Sequence, residues 1–422
     1  MLNEIAPDAA GICISRLDRV SKWLEKQVAS RKLAGCSVLI GRKGGVAYYC
    51  HQGMADVEHK KSFARDTIVR IYSMTKPVTA VAAMMLYERG AFQLDDRVSS
   101  FLPEFSETPV WKGGGIENVE YQKAPMLIRD LFTHTSGLTY GWMQNNSVDE
   151  KYRVDKIDEA FHQSPNHTLE TATKQLASVP LLAQPGTQWN YSLSYDVLGR
   201  LIEIWSGQSL SEFFSNEIFV PLEMKDTGFT LSIDKKERFS ALYFPEIGSS
   251  TPGSLGLDGT VRGGLRLEES YNESAYFNSY DACSGGGGLV STVDDYAAFC
   301  QMLLNGGELN GNRLLGRKTV EYMRMNHLKD GKDMAGMGQP VWSETSYDGI
   351  GFGLGFAVVL DPVKAAFIAS VGEHHWGGLA STFFWLDPEE DLFTVFFTQL
   401  MPSSTYPIRR ELRTRVYQAL VD

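Results

Sequence analysis

The stretch that decides how this chain is read is "IYSMTKPVTAVAAMMLYERG", residues 71–90. It runs from a strand-like entry into a long apolar helix closed by Gly90, and Ser73 and Lys76 stand where that helix should begin. Residues three apart are neighbours on one helical face. A lysine in a first turn opposes the positive end of the helix dipole, so as structure alone the placement is unfavourable. A chemical account removes the oddity. A serine hydroxyl is a poor nucleophile until a base takes its proton, and a lysine whose pKa is lowered by burial or a nearby cation can be that base. The helix N-terminus would favour the unprotonated amine and stabilise negative charge growing on the serine oxygen. Ser73 is therefore the candidate nucleophile and Lys76 the candidate base. A four-residue S-x-x-K pattern also arises by chance, and its bland reading is a capping serine with an exposed lysine. The apolar run Val78 to Leu86 must be buried, which makes an idle lysine at its start less comfortable.

Two later stretches add partners. "QPGTQWNYSLSYDVLGRLIE" (184–203) holds a Pro185-Gly186 turn, then Tyr191-Ser192, then a helix beginning near Tyr195. A tyrosine beside a lysine can deliver a proton to a leaving group, although a lone tyrosine here would more simply fill the gap before the helix. "GEHHWGGLASTFFWLD" (372–387) places Gly377 and Gly378 at the start of a strand, where another backbone can approach closely. Exposed N–H groups on such an edge can hold an acyl oxygen; a bulge or tight bend is the alternative.

The bulk numbers limit the function classes. A chain of 422 residues exceeds one simple core and suggests two structural regions. The net charge of −11 argues against nucleic acid or an anionic membrane as partner. The cysteines at 13, 36, 50, 283 and 300 form no C-x-x-C pair and are odd in number, which reads as buried free thiols in a reducing compartment. The start, "MLNEIAPDAAG", carries Glu4 and Asp8 and lacks the basic-then-apolar pattern of a secretory signal. No stretch reaches the roughly 18 apolar residues of a membrane span. A soluble cytoplasmic protein is expected.

Strand-like patterns lie at both ends of the chain. Residues 14–28 carry Ile14, Leu17, Val20, Trp23, Leu24 and Val28 at helical spacing, and "GCSVLIGRKGGVAYYCHQG" reads as a hairpin turning at Lys43-Gly44-Gly45. Near the other end "GFGLGFAVVL", "AAFIASVGE", "LASTFFWLD" and "LFTVFFTQL" read as four strands. A final helix follows Pro407, with its arginines at 409, 410, 413 and 415 on a solvated face. Between the ends the patterns are helical or loop-like. The expected fold is α/β (α+β): one antiparallel sheet built from both chain ends and flanked by helices, with a mostly helical inserted region. The expected division is residues 1–72 with 270–422 for the sheet domain and 73–269 for the helical one, with the active site between them. The glycine-rich stretch 248–264 reads as a surface excursion.

An S-x-x-K at a helix start, a Y-S preceded by P-G-T and a late glycine-containing strand, in this order, resemble the serine β-lactamase and penicillin-binding protein superfamily. "LFTHTSGL" (131–138), "FVPLEMKDTGF" (219–229), "GGGLVSTVDDYAAFCQMLLNGG" (286–307) and "GFGLGF" (351–356) are similar to class C β-lactamase-related hydrolases. Where β-lactamases and peptidases carry K-T-G, this chain has Trp376-Gly377-Gly378; where class C enzymes have Y-A-N, it has Tyr191-Ser192-Leu193. Trp-Gly-Gly with Tyr-Ser resembles the family VIII carboxylesterases. That resemblance implies a β-lactamase-like fold and an acyl-enzyme on Ser73, with Lys76 and Tyr191 as its catalytic partners. It also implies an oxyanion hole from the backbone N–H groups of Ser73 and Leu379. Loss of the lysine charge at Trp376 implies small-molecule esters as substrates, neutral and short- to medium-chain, with only slow β-lactam hydrolysis. His375 is expected beside Trp376, Gly377 and Gly378 in the substrate pocket.

Several tempting motifs fail. "ACSGG" (282–286) has alanine where the first glycine of a nucleophile elbow belongs. "GNRLLGRKT" (311–319) has Arg317 where a P-loop needs lysine. His374-His375 lacks the companions of a metal site, so neither metal nor organic cofactor is expected. His134 in "THTSG" reads as loop-fixing. Three alternatives stay open: acyl transfer to an alcohol or amine, amide or β-lactam hydrolysis, and a penicillin-binding-like scaffold without turnover. The pattern carries no signal of oligomeric state.

Overall fold

The computed structural model describes residues 2–143, 146–162, 164–246, 264–338 and 347–422. Residues 248–263 of the glycine-rich stretch lie outside them. The elements that frame the site are helix α1 (Ile14–Ala29), strands β1 (Gly35–Arg42), β2 (Gly45–Asp56) and β3 (Lys61–Ser62), and helices α2 (Thr75–Glu88), α3 (Ser194–Ser206) and α4 (Val293–Leu304). They are followed by strands β4 (Ile350–Phe352), β5 (Ala357–Val359), β6 (His374–Gly377), β7 (Phe383–Asp387) and β8 (Leu392–Thr398), and by helix α5 (Ile408–Tyr417). The eight strands form one sheet in the order β4-β5-β6-β7-β8-β1-β2-β3. Antiparallel pairing of β1 with β8, from Cys36 opposite Thr398 to Arg42 opposite Leu392, joins the two ends of the chain. The β1–β2 hairpin turns at Lys43 and Gly44, whose φ values of 51° and 82° match the right-handed strand twist.

Both faces of this sheet are covered, which is why β1 and β8 are buried along their whole length. On one face Leu17, Val20, Trp23 and Leu24 of α1 and Ile408, Leu412 and Val416 of α5 pack against Val38, Ile40, Trp385 and Phe396. On the other, α4 packs against Leu39, Phe384, Val395 and Phe397, and α2 packs against α3 in the same core. Each fully buried Leu, Val or Phe stabilises by about 1.5–3 kcal/mol. This packing outweighs the helices' own marginal propensity. Helix α2 is buried from Thr75 to Leu86, as its unbroken apolar run requires.

Three expectations need correction. "GFGLGFAVVL" is a β4–β5 hairpin rather than a single strand. "AAFIASVGE" is not a strand: Asp361 caps the amides of Val363 and Lys364, Pro362 opens a short helical turn, and Ala366 takes a left-handed φ of 57°. That local capping outcompetes strand propensity, and the strand forms one segment later at β6. Finally, Arg413 is not on a solvated face. It is 3 % exposed and donates from Nη2 to Glu373 Oε1 at 2.9 Å, with its guanidinium over the rings of Phe367 and Trp385. Tyr417 donates to the other oxygen of Glu373 at 2.8 Å. Burial alone would raise the Glu373 carboxyl, but Arg413 and His375 outweigh it and hold it at about 2.

Candidate active site

The chain enters the site through a 3₁₀ turn, Tyr72–Met74, that runs directly into α2. Tyr72 has a φ of 43°, a left-handed conformation that costs a side-chain-bearing residue energy and here aims the next residue. That residue is Ser73. Lys76, one turn later, is 1 % exposed, and its Nζ lies 3.2 Å from Ser73 Oγ, 3.1 Å from Tyr140 Oη and 2.7 Å from the Gly286 carbonyl. Burial pushes the ammonium down to about 7, against a weaker opposing pull from Asp196. From the far side, the Tyr191 hydroxyl donates to Ser73 Oγ at 2.6 Å. Burial drives the Tyr191 and Tyr140 phenols well above their ordinary range. The sequence pattern thus brings Ser73, Lys76 and Tyr191 onto one oxygen.

Tyr140, Gly286 and Asp196 were not anticipated. Asp196, in the first turn of α3 and 1 % exposed, accepts from Ser284 Oγ at 2.6 Å and from the Gly286 amide at 3.1 Å. It thereby fixes the turn whose Gly286 carbonyl receives Lys76. A side chain at 286 would stand 2.4 Å from Asp196 Oδ2, so only glycine fits. The usable signals were proximity in sequence: Tyr140 follows "LFTHTSGL" by two residues, and Gly286 opens "GGGLVST".

Strand β6 behaves less uniformly. Leu379 lines the cavity with Ser73. Among the described residues, neither the Ser73 nor the Leu379 amide donates to a protein acceptor. Gly378 lets the strand approach the nucleophile's turn: a Cβ there would lie 2.3 Å from the Ile71 carbonyl. Trp376 stands behind Tyr191 with ring centroids 5.5 Å apart, and Gly377 backs onto Arg409. His375, expected in the substrate pocket, is not there. Its ring points to the opposite face of the sheet, with Nδ1 3.2 Å from Glu373 Oε1 and Phe367 edge-on at 6.3 Å. Neighbouring residues on a strand face opposite ways, so His375 and Trp376 lie on opposite faces of the sheet. Trp376, Gly377 and Gly378, also expected in the substrate pocket, are not among the residues that line the cavity over Ser73, where Leu379 represents this segment. His134 is buried, with Nδ1 3.2 Å from Ser192 Oγ and rings of Trp189, Tyr191 and Phe352 around it, the loop-fixing place expected of it. Among the described residues no three His, Cys, Asp or Glu side chains converge as metal ligands, and no helix is long and apolar enough to cross a membrane.

An antiparallel sheet closed by both chain ends, with a serine, a buried lysine and a tyrosine meeting between it and a helical layer, defines the β-lactamase-like class of folds. The chain belongs to the β-lactamase family, whose family model matches residues 20–418. It is 30 % identical over 416 residues to esterase EstB of Burkholderia gladioli, covering 97 % of this chain and 96 % of that one. It is 27 % identical over 378 residues to monacolin J acid methylbutanoyltransferase of Aspergillus terreus, covering 84 % and 81 % of the two chains. A similar solved structure is that of EstCE1, described as a hydrolase with promiscuous acyltransferase activity. It superposes with a TM-score of 0.77 at 28 % identity and covers 96 % of this chain and 98 % of its own.

Proposed function

We propose that the protein is a serine carboxylesterase of the family VIII type, cleaving short- to medium-chain esters through an acyl-enzyme on Ser73. The observation that carries this reading is the convergence of an amine near 7 and a phenol far above its usual range on one serine oxygen. Neutral Lys76 takes the Ser73 proton, and Oγ attacks the acyl carbon. The oxyanion rests between the N–H groups of Ser73 and Leu379. Collapse expels the alcohol oxygen, which takes the Tyr191 proton, and Lys76 returns a proton to Tyr191. Water then repeats the cycle on the acyl-enzyme. Five free thiols favour a reducing compartment, and we place the protein in the cytoplasm.

The decisive assay is hydrolysis of p-nitrophenyl esters from C2 to C12 alongside nitrocefin, for wild type and Ser73→Ala. Ser73-dependent turnover peaking at short chains, with nitrocefin slow because Trp376 offers no positive charge, is expected. Normal ester turnover by Ser73→Ala would end this reading.

The pH profile follows from Lys76. The protonated amine is inactive, so kcat/KM for p-nitrophenyl butyrate should be level above about pH 8. It should fall about tenfold per pH unit as pH drops below the Lys76 value of about 7. A profile flat from pH 5 to 8 would exclude Lys76 as the base. A second reading, acyl transfer, is favoured by the names of two relatives. An added alcohol that yields a new ester, with p-nitrophenol release unchanged, would establish it.

A further inference from the structure

The cavity over Ser73 has a volume of about 200 Å³, smaller than the roughly 300–1,000 Å³ of ordinary ligand pockets. Its wall is aromatic. Tyr140, Trp142, Phe161 and Tyr191 line it, with Tyr140 and Trp142 stacked at 5.1 Å and Tyr140 and Tyr191 tilted at 5.3 Å between centroids. Among the described lining residues none is lysine or arginine, and the charged ones, Asp158 and Asp196, are acids. Asp196 is engaged with Ser284 and Gly286. Asp158 has no such duty in the mechanism.

Asp158 sits in the short helix Ile157–Phe161, and Phe161 and His162 beside it also line the cavity. Its carboxylate is held by the Gly141 amide, 2.9 Å from Oδ2 and 3.2 Å from Oδ1. Amide contacts fix the group in place yet leave carboxylate lone pairs for a ligand. Burial raises the Asp158 carboxyl to about 7, so its charged form gains as pH rises above that value. Burial also lowers His162, which adds no positive charge. An aromatic wall and a carboxylate attract the same ligand, a cation.

We propose that this cavity selects esters bearing an alkylammonium group, with Asp158 as the specificity-determining residue and Tyr140, Trp142 and Phe161 as its aromatic walls. The inference rests on Ser73 being the acylated nucleophile. It departs from the neutral esters that loss of the Trp376-site lysine alone implies, because it rests on a charge that is present rather than one that is missing.

Two matched substrate pairs test it at pH 8. Butyrylthiocholine and its uncharged carbon isostere, 3,3-dimethylbutyl thiobutyrate, place the cation on the leaving group. The p-nitrophenyl esters of 6-aminohexanoic and hexanoic acid place it on the acyl chain. In at least one pair the cationic member should have a kcat/KM about tenfold higher, and Asp158→Asn should bring that ratio close to one. Ser73-dependent hydrolysis of the neutral members with cationic ratios at or below one in both pairs would overturn the proposal while leaving the hydrolase standing. A high ratio that survives in Asp158→Asn would remove Asp158 from the account. No Ser73-dependent turnover of any ester would overturn both readings together. Should Asp158→Asn fail to fold, the wild-type ratios decide alone, because they need no variant.

Discussion

Replacing Lys76 with methionine is expected to lower kcat for p-nitrophenyl butyrate by about 10³- to 10⁴-fold while leaving a folded protein. Methionine fills the space of the lysine stem, so α2 keeps its packing. What disappears is the amine 3.2 Å from Ser73 Oγ. The Gly286 carbonyl and the Tyr140 hydroxyl lose a donor, at about 1 kcal/mol each. Removing an ionisable group from a site where it is 1 % exposed offsets part of that loss. Stability should therefore move little compared with activity, as equilibrium urea unfolding would report. Tyr191→Phe should cost less, about 10²-fold, because solvent can still protonate a good leaving group such as p-nitrophenolate. If Lys76→Met keeps more than a tenth of wild-type kcat, the base is Tyr191 and the assignment of roles reverses.

The second large effect concerns stability. Arg413→Leu should destabilise the fold by about 3–5 kcal/mol, because it strands the carboxylate of Glu373, which is 0 % exposed, without its cation. The double change Arg413→Leu with Glu373→Leu should recover much of the loss, since a buried pair exchanged for apolar groups is close to neutral. Recovery would show that the pair matters through mutual dependence. If the single change costs under about 1 kcal/mol in urea, water reaches this cluster and the burial argument is wrong. The sign with pH follows from the same group. Glu373 is depressed in the fold to about 2, against about 4.3 for a free glutamate. Its contribution is full above the unfolded value and lost as pH falls from there through about 2. Wild type should lose stability across that window, and the double variant should lose less.

Some of this was legible in the chain and some was not, for identifiable reasons. The β1–β2 hairpin, α1 and α2 follow from period and turn chemistry, which are local. Ser73 and Lys76 were readable because their relation spans one turn. The opposite facing of Trp376 and His375 on β6 was also readable, since adjacent strand residues alternate faces, and it was overlooked. Arg413 was misjudged because its arginine neighbours suggest solvent. Nothing within α5 reveals that Glu373, 40 residues earlier, lies opposite it.

By itself the sequence pointed to the residues proposed to carry the chemistry and determined that the sheet is built from both chain ends. These depend on spacing and alternation along short stretches. Only the tertiary structure decided which groups surround the serine and the lysine. Lys76 meets Tyr140 from 64 residues away and Gly286 from 210, while Tyr191 reaches Ser73 across 118. Their packing removes water from the amine and the phenol alike, which destabilises the charged form of each. In the proposed mechanism the desolvated amine acts as the base and the desolvated phenol as the acid, so burial, which no local pattern encodes, would set the direction of the proton.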